Sequence, residues 1–405
     1  MTVTVIGQGY VGLPILIKAA EAGFSVTGFD INSEKIESLK LGITSTPDVS
    51  KKQIETLMKS GQINFTSNLS DVKKSEIIVI AVPTPLLPNR DPDLSMLTSA
   101  CEMIGEIVGP NSLVINESTS YIGTLRNLVK PVIDEVSNYK SIKYAVAPER
   151  IDPGNSSWNV ENTPRIVGGL DDESIEAVRN FYSKFCQNVT VVSKPEVAEA
   201  AKLFENTFRQ VNIALVNNLS KLSHMYDFTG HEVIAAASTK PFGFMAFYPG
   251  VGVGGHCIPI DPKYLDYSAE NVDFALEFVK ISDRINVSNP EYIVTRIKSN
   301  LFTDLNGKQI QIAGIAYKTN ISDIRESPAL ELLNLLKAEG ANVTWHDPLV
   351  GHLGNEKSSP LNSNIDLGLI VTPHEAIDFT PWLNSGTNVL DLSSNKANFG
   401  WPKFL

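Results

Sequence analysis

Cys257 closes a run that reads Pro249-Gly250-Val251-Gly252-Val253-Gly254-Gly255-His256-Cys257, and Asp261 follows four residues later. Glycines let the backbone take positive φ and let a substrate approach the main chain closely. A thiol in such a loop can act as a nucleophile, and a nearby carboxylate can orient water or move a proton. A free cysteine is more often a small core hydrophobe, but the flanking glycines argue against ordinary core packing. His256 is adjacent in sequence, which does not make it a base. Cys101 and Cys186 read as core, and no Cys/His spacing suits zinc, so no metal is expected.

Lys202 and Asn206 are four apart on a helical pattern and share a face. Together they can donate hydrogen bonds to a developing oxyanion. Taken alone, the pair reads more readily as a solvated helix face. Three polar turns each follow an apolar strand pattern: Pro83-Thr84-Pro85, Glu117-Ser118-Thr119 and Pro148-Glu149-Arg150. In an open α/β sheet such turns meet at the carboxyl edge of the strands, where ligands bind.

The chain opens with the other chemical signature. Gly7-Gln8-Gly9-Tyr10-Val11-Gly12 follows a short strand and precedes a helix. Gly7 suits the tight turn, Gly9 the approach of a pyrophosphate and Gly12 the helix–sheet contact. Asp30 closes the second strand, where a carboxylate accepts from ribose hydroxyls and disfavours a 2'-phosphate, which points to NAD over NADP. Lys35 lies near the adenosine or is a solvated helix lysine.

The elements that must position these residues follow from the pattern. The spacing predicts a strand at 3–6, a helix from Leu13 to Glu21 ended by Gly23, and strands at 24–29, 77–82, 113–116, 144–146 and 165–167. Helical patterns between them imply a parallel, doubly wound sheet. Ser193-Lys194-Pro195-Glu196 resembles a capping box, and a helix runs from it to about Tyr226 without internal Gly or Pro. A second helical stretch covers 274–286. A second α/β lobe begins near Lys308, with strands at 309–315, 342–346, 367–371 and 388–392 and a helix at 329–338. It repeats the plan of strand, loop, helix, strand and aspartate (Asp347) without the glycine fingerprint. The expected fold is α/β, with two Rossmann-like doubly wound lobes joined by a long helix and a helical central domain. The expected domains are 1–192 for NAD, 193–300 for the central helices, the cysteine loop and a dimer interface, and 301–405 for a sugar nucleotide.

The 405 residues are 42% hydrophobic, enough for two or three domain cores, and the formal net charge is -11. That charge argues against nucleic acid as partner. The three cysteines do not form a disulfide framework. No apolar run reaches the ~18 residues of a spanning helix, and no signal-peptide pattern opens the chain. A soluble cytoplasmic protein, with no membrane partner, is expected.

Five ordered motifs resemble the UDP-glucose/GDP-mannose dehydrogenase family over nearly the whole chain. They are Gly7–Pro14, Ala147–Arg150, Ala201–Thr207, Gly254–Cys257, and Gly314–Lys318 with Asp323–Pro328. The resemblance implies oxidation of a sugar C6 alcohol to a carboxylate with two NAD⁺. It implies that Cys257 attacks the C6 aldehyde, Asp261 assists proton movement, Lys202 and Asn206 stabilise the oxyanion, and Thr119 and Glu149 position water and protons. It assigns Tyr10, Val11, Pro83, Thr84 and Thr119 to the cofactor side, alongside the three glycines, Asp30 and Lys35, and it places Arg325 near the cofactor or its neighbouring domain. It assigns Glu149, Arg150, Lys202, Asn206, Phe247, Tyr248, Gly254 and Lys318 to the UDP-sugar side. A homodimer or higher homo-oligomer is implied.

Within the family, Pro148–Asn155, Phe208–Asn217 and Phe247–Pro262 look most like enzymes acting on UDP-N-acetylhexosamines, UDP-N-acetylglucosamine first. UDP-N-acetylmannosamine and UDP-glucose are the alternatives. Arg150 and Pro153 depart from the UDP-glucose pattern and remove one expected glutamate. The position sixteen before Cys257, an arginine in UDP-glucose enzymes, is Pro241 here, with Lys240 beside it. More remote readings are a two-electron hydroxyacid dehydrogenase and a non-catalytic sugar-nucleotide sensor.

Overall fold

A computed structural model describes all residues except 45, 47, 73, 74, 152–156 and 396–398. The chain divides into two compact units, Met1–Glu205 with Lys263–Val272, and Asn206–Pro262 with Asp273–Leu405. The first unit begins with β1 (Thr2–Ile6), α1 (Gly12–Glu21), β2 (Ser25–Phe29), α2 (Ser33–Lys40), α3 (Lys51–Lys59), β3 (Ile63–Thr66) and β4 (Ile77–Ile80). It continues through α4 (Ser95–Ile107), β5 (Leu113–Asn116), α5 (Lys130–Val136), β6 (Lys143–Val146), β7 (Arg165–Gly169), α6 (Asp172–Tyr182) and β8 (Val189–Val191). The long helix α7 (Pro195–Ser223) follows.

The strands form one sheet in the order β3-β2-β1-β4-β5-β6-β7-β8. The first six give the doubly wound order, with the switch point between β1 and β4. Their residues alternate between two cores, because successive side chains point to opposite faces. Val3, Val5, Ile77, Val79 and Ile115 pack on one side, and Ile6, Ile78, Ile80 and Val114 on the other. Burial on both faces explains why these strands read as continuous apolar runs. One difference from the expected parallel sheet is β7, which runs antiparallel to β6.

The second unit carries α8 (Gly230–Ala237), the start of α9 (Asp261–Glu270), α10 (Glu277–Val287) and α11 (Asn289–Asn300). Then come β9 (Gln309–Ala313), α12 (Pro328–Ala338), β10 (Asn342–His346), the short pair β11 (His352–Leu353) and β12 (Glu356–Lys357), β13 (Leu367–Ile370), α13 (Thr380–Ser385) and β14 (Val389–Asp391). A four-stranded parallel sheet has the order β10-β9-β13-β14. Ile310, Ile312, Leu367 and Leu369 face one core, and Ala313 and Ile370 the other.

The two sheets share a detail at the exit of their first strand. Gly7 has φ +92°, and its N–H donates to the Phe29 carbonyl at the end of β2 at 2.8 Å. Gly314 has φ +82°, and its N–H donates to the His346 carbonyl at the end of β10 at 2.8 Å. A Cβ on Gly7 would lie 2.5 Å from the Ala81 carbonyl oxygen, and one on Gly314 would lie 1.9 Å from that of Thr372. Positive φ and backbone contact together leave only glycine at either turn.

Candidate active site

In the first unit, the Gly7–Gly12 loop leaves open space at the start of α1. A Cβ on Gly12 would meet the Gly7 carbonyl oxygen at 1.9 Å, so α1 comes down tightly on the turn. Gly9 faces open space, with no atom within 4 Å of where its Cβ would be. Helix α1 has no side-chain cap at Val11, so its first amides are not claimed by a side chain. Open space beside uncapped helix amides fits a pyrophosphate. Asp30 is anchored at the end of β2 by the N–H groups of Gln8 (2.9 Å) and Asn32 (3.0 Å). Lys35, on the first turn of α2, donates its ammonium to Asp30 Oδ2 at 2.7 Å. The two adenosine-side candidates are therefore one ion pair.

The polar turns after β4 and β5 are tied together. The Thr84 hydroxyl donates to the Thr119 carbonyl at 2.6 Å, and the Ser118 hydroxyl to the Val82 carbonyl at 2.8 Å. After β6, Glu149 accepts from the Arg150 N–H at 2.5 Å and from the Ile151 N–H. Arg150 turns to Glu205 on α7 (2.6 Å) and to the Pro164 carbonyl (2.8 Å). Residues 152–155 of the Pro148–Asn155 turn lie outside the described residues. Lys202 is buried, at 8% exposed, and makes no ion pair among the described residues. A buried ammonium without a carboxylate partner is costly unless a ligand supplies the charge.

In the second unit, the cysteine loop is held by its backbone. Gly255 has φ +84°, and its N–H donates to the Arg325 carbonyl at 2.9 Å. Cβ atoms on Gly254 and Gly255 would each come within 2.7 Å of Tyr317. Both glycines are required because the loop lies against Tyr317, Gly254 on its Cβ and Gly255 on its ring. The Cys257 carbonyl accepts from the Asp261 N–H at 2.8 Å, one turn ahead of α9. Asn206 Nδ2 donates to Asp261 Oδ2 at 2.5 Å, and both side chains are buried. Cys257 is partly exposed, whereas Cys101 and Cys186 are buried. Burial pushes the Cys101 thiol up to about 12 and that of Cys186 up to about 11, as expected of core cysteines.

The surroundings of that loop hold what the sequence reading missed. Three buried side-chain amides form a ladder. Asn217 donates to Asn286 (3.1 Å) and accepts from the Gly250 N–H (3.0 Å), Asn286 donates to the Gln210 carbonyl (3.1 Å), and Asn289 donates to the Gly250 carbonyl (2.8 Å). Gln210 and Asn217 are seven apart on α7, a spacing that puts them on one helix face and was the available signal, although Gln210 enters the ladder through its backbone carbonyl. Phe247 packs edge-on to Phe208 at 5.8 Å, and Tyr248 lies 5.4 Å from the His231 ring. Lys318 is partly exposed on the loop after β9. Arg325 grips the Asp323 carboxylate with two arms, at 2.9 and 2.5 Å. Asp347 accepts from the N–H groups of Ile315 (2.8 Å) and Ala316 (3.1 Å), as Asp30 does from Gln8. His374 Nδ1 accepts from the Asn320 N–H at 2.8 Å, so its proton is on Nε2, which donates to Asp347 at 3.0 Å. The Lys318 loop is thus clasped at both ends.

Three family models match the chain: the NAD-binding domain of the UDP-glucose/GDP-mannose dehydrogenase family over residues 1–186, its central domain over 196–288 and its UDP-binding domain over 311–392. Protein CapL of Staphylococcus aureus is 36% identical over 85% of this chain and 81% of its own. A UDP-N-acetyl-D-glucosamine 6-dehydrogenase of Pseudomonas aeruginosa is 33% identical over 86% of this chain and 83% of its own. The solved structure of a UDP-D-ManNAc dehydrogenase from Pyrococcus horikoshii superposes with a TM-score of 0.88 at 29% identity, covering 99% of this chain and 98% of that one.

Proposed function

The chain belongs to the UDP-glucose/GDP-mannose dehydrogenase family, and from that premise we propose that it oxidises C6 of UDP-N-acetylglucosamine to the uronic acid through a covalent bond to Cys257. The chain is an NAD-dependent UDP-sugar dehydrogenase. The observation that carries the mechanism is the Cys257–Asp261–Asn206 linkage. A partly exposed thiol sits at the mouth of α9, and a buried carboxylate fixed by an amide follows it at one helical turn.

Bound NAD⁺ supplies a hydride acceptor, twice per sugar. The first oxidation converts the C6 alcohol to an aldehyde, and the hydroxyl proton leaves to solvent or to a base. The Cys257 thiolate then adds to the aldehyde carbon, and Lys202 and Asn206 donate to the oxygen that becomes negative. Loss of hydride from the thiohemiacetal leaves a thioester on Cys257. Water held by Thr119 and Glu149 adds to that carbonyl, the C–S bond breaks, and the thiolate and a carboxylate remain. Asp261 accepts or returns protons at the sulfur. On the cofactor side Tyr10, Val11, Pro83 and Thr84 line the nucleotide, with Arg325 as a further contact. On the sugar side Arg150, Phe247, Tyr248, Gly254 and Lys318 hold the UDP-hexose.

The ribose assignment has a sharp test. Asp30 accepts from the adenosine ribose and repels a 2'-phosphate. The wild type is therefore expected to prefer NAD over NADP by about tenfold or more in kcat/KM, the worth of roughly 1.4 kcal/mol. Asp30→Ala frees the Lys35 ammonium from its partner and is expected to erode that preference by raising the efficiency with NADP. Equal efficiency of the wild type with both cofactors would defeat this placement.

The sugar is decided by a panel. UDP-N-acetylglucosamine, UDP-N-acetylmannosamine and UDP-glucose are each offered with NAD⁺, and kcat/KM and NADH per sugar are measured. A site shaped for the acetamido group leaves buried partners unpaired when a hydroxyl replaces it, so UDP-glucose is expected to lag substantially. UDP-N-acetylmannosamine is the rival, supported by the likeness to the Pyrococcus enzyme. One NADH per turnover would favour a two-electron hydroxyacid dehydrogenase, and none a sensor. Self-association is part of the reading. Phe204, Phe208, Leu215 and Leu222 are exposed along one face of α7, a stripe suited to a second copy. A catalytic thiol must stay reduced, which suits the cytoplasm, and among the described residues no helix is long and apolar enough to cross a membrane.

A further inference from the structure

Behind Glu149 lies a charged cluster that the reaction above does not use. Arg165, the first residue of β7, is 3% exposed, Glu117 after β5 is 1% exposed, and Tyr182 at the end of α6 is fully buried. Arg165 Nη1 donates to Glu117 Oε2 at 2.6 Å, and Nη2 donates to Glu149 Oε2 at 3.2 Å. Nη1 also lies 3.4 Å from the Ala147 carbonyl, on the segment that leads from β6 to Glu149. The Tyr182 hydroxyl donates to Glu117 Oε1, and the guanidinium lies 4.9 Å from the centre of the Tyr182 ring. One cation therefore serves two carboxylates. Buried ion pairs of this kind are poor stabilisers, since apolar groups of similar volume often do as well. The arrangement calls for another reason.

We propose that Arg165 is a positioning residue for Glu149, aimed by Glu117 and Tyr182. The chain of contacts has one direction. Tyr182 fixes Glu117, Glu117 fixes one arm of the planar guanidinium, and the other arm takes Glu149 Oε2. The Arg150 and Ile151 N–H groups already hold Glu149 Oε1. Both Glu149 oxygens are thus fixed in angle, and Glu149 is the least buried carboxylate of the cluster.

Charge follows the same route. Burial raises Glu117 to about 7, helped by Glu149 and opposed by Arg165 and its hydrogen bonds. Near neutral pH Glu117 gains a negative charge. It then shares Arg165 with Glu149 and adds a like charge behind it. The other titratable groups facing the cluster are the Cys186 thiol, pushed up to about 11 and so neutral here, and Arg150, which is paired with Glu205.

The inference rests on the proposed role of Glu149 in holding water, and the test separates the two. The full-length enzyme is assayed with NAD⁺ and UDP-N-acetylglucosamine over about pH 5.5 to 9. Glu149→Gln reports on Glu149 itself and is expected to lose turnover. Glu117→Gln keeps the shape and cannot ionise, so the inflection that Glu117 ionisation puts into the kcat profile near pH 7 should disappear. Arg165→Lys keeps the charge and loses the fork, so kcat should fall about tenfold while KM for the sugar nucleotide stays near wild type. A slow Glu149→Gln enzyme beside an unmoved Glu117→Gln profile overturns the positioning role alone. Full turnover in Glu149→Gln removes that role and the Glu149 assignment together. If Arg165→Lys fails to fold, the Glu117→Gln profile decides.

Discussion

Cys257→Ala is expected to make no uronic acid, with a fall in acid formation on the order of a thousandfold or more, as for removal of other covalent nucleophiles. The reason lies in the chemistry of the second step. A free aldehyde carries no leaving hydride until something adds to its carbonyl carbon. The thiol supplies that addition and keeps the intermediate bound through the second oxidation. Wild-type enzyme should therefore release two NADH for each sugar consumed. Cys257→Ser is expected to form an oxygen ester that water cleaves slowly, seen as a mass increase on the denatured protein after one turnover. One NADH per sugar with free aldehyde from the wild type would remove the four-electron reading. The loop itself should survive the change, because its shape comes from Gly254, Gly255 and the amide ladder and not from the thiol.

The parts of this molecule that were legible in the sequence are those whose signal is local. The turn from β1 to α1 needs glycine at Gly7 for its φ and at Gly12 for its contact, and the carboxylate at Asp30 follows at the end of the next strand. The same logic found β9, β10 and Asp347 in the second sheet. It did not find that Gly314 does there what Gly7 does, because no second and third glycine follow it. Strand β7 was legible as a strand, but its antiparallel direction was not, since a five-residue strand does not encode the direction of its partner. Cys257 and Asp261 stand out by type and spacing. What holds them comes from residues scattered over α7, α10 and α11, and buried amides such as Asn217 and Asn286 look like surface polar residues until their helices pack. Arg165 hid in the same way. Its partners Glu117 and Glu149 are distant in sequence, and only the closing of the sheet brings the three together.

Lys202→Ala and Asn206→Ala are each expected to cut kcat on the order of a hundredfold, the usual worth of one oxyanion donor, with far smaller effects on binding of the UDP-sugar. The two losses should have different origins. Lys202 is buried with no ion-pair partner among the described residues, and in the proposed reaction its charge would meet an oxygen that becomes negative only as the thiol adds. Removing it lifts the transition state and little else. Asn206 already spends one N–H on Asp261 at 2.5 Å. Its removal withdraws an oxyanion donor and also takes one charge-assisted hydrogen bond from a buried carboxylate, which costs about 1.5–3 kcal/mol. Asn206→Ala should therefore lower the melting temperature as well as kcat, whereas Lys202→Ala should not. Asn206→Asp sharpens the contrast, since it sets a second carboxylate against Asp261, and turnover should fall further while the side-chain volume is kept. Turnover, sugar affinity by calorimetry and melting temperature of the three variants distinguish these effects. Near-normal kcat in Lys202→Ala or Asn206→Ala would return that residue to the face of a helix with no part in the reaction.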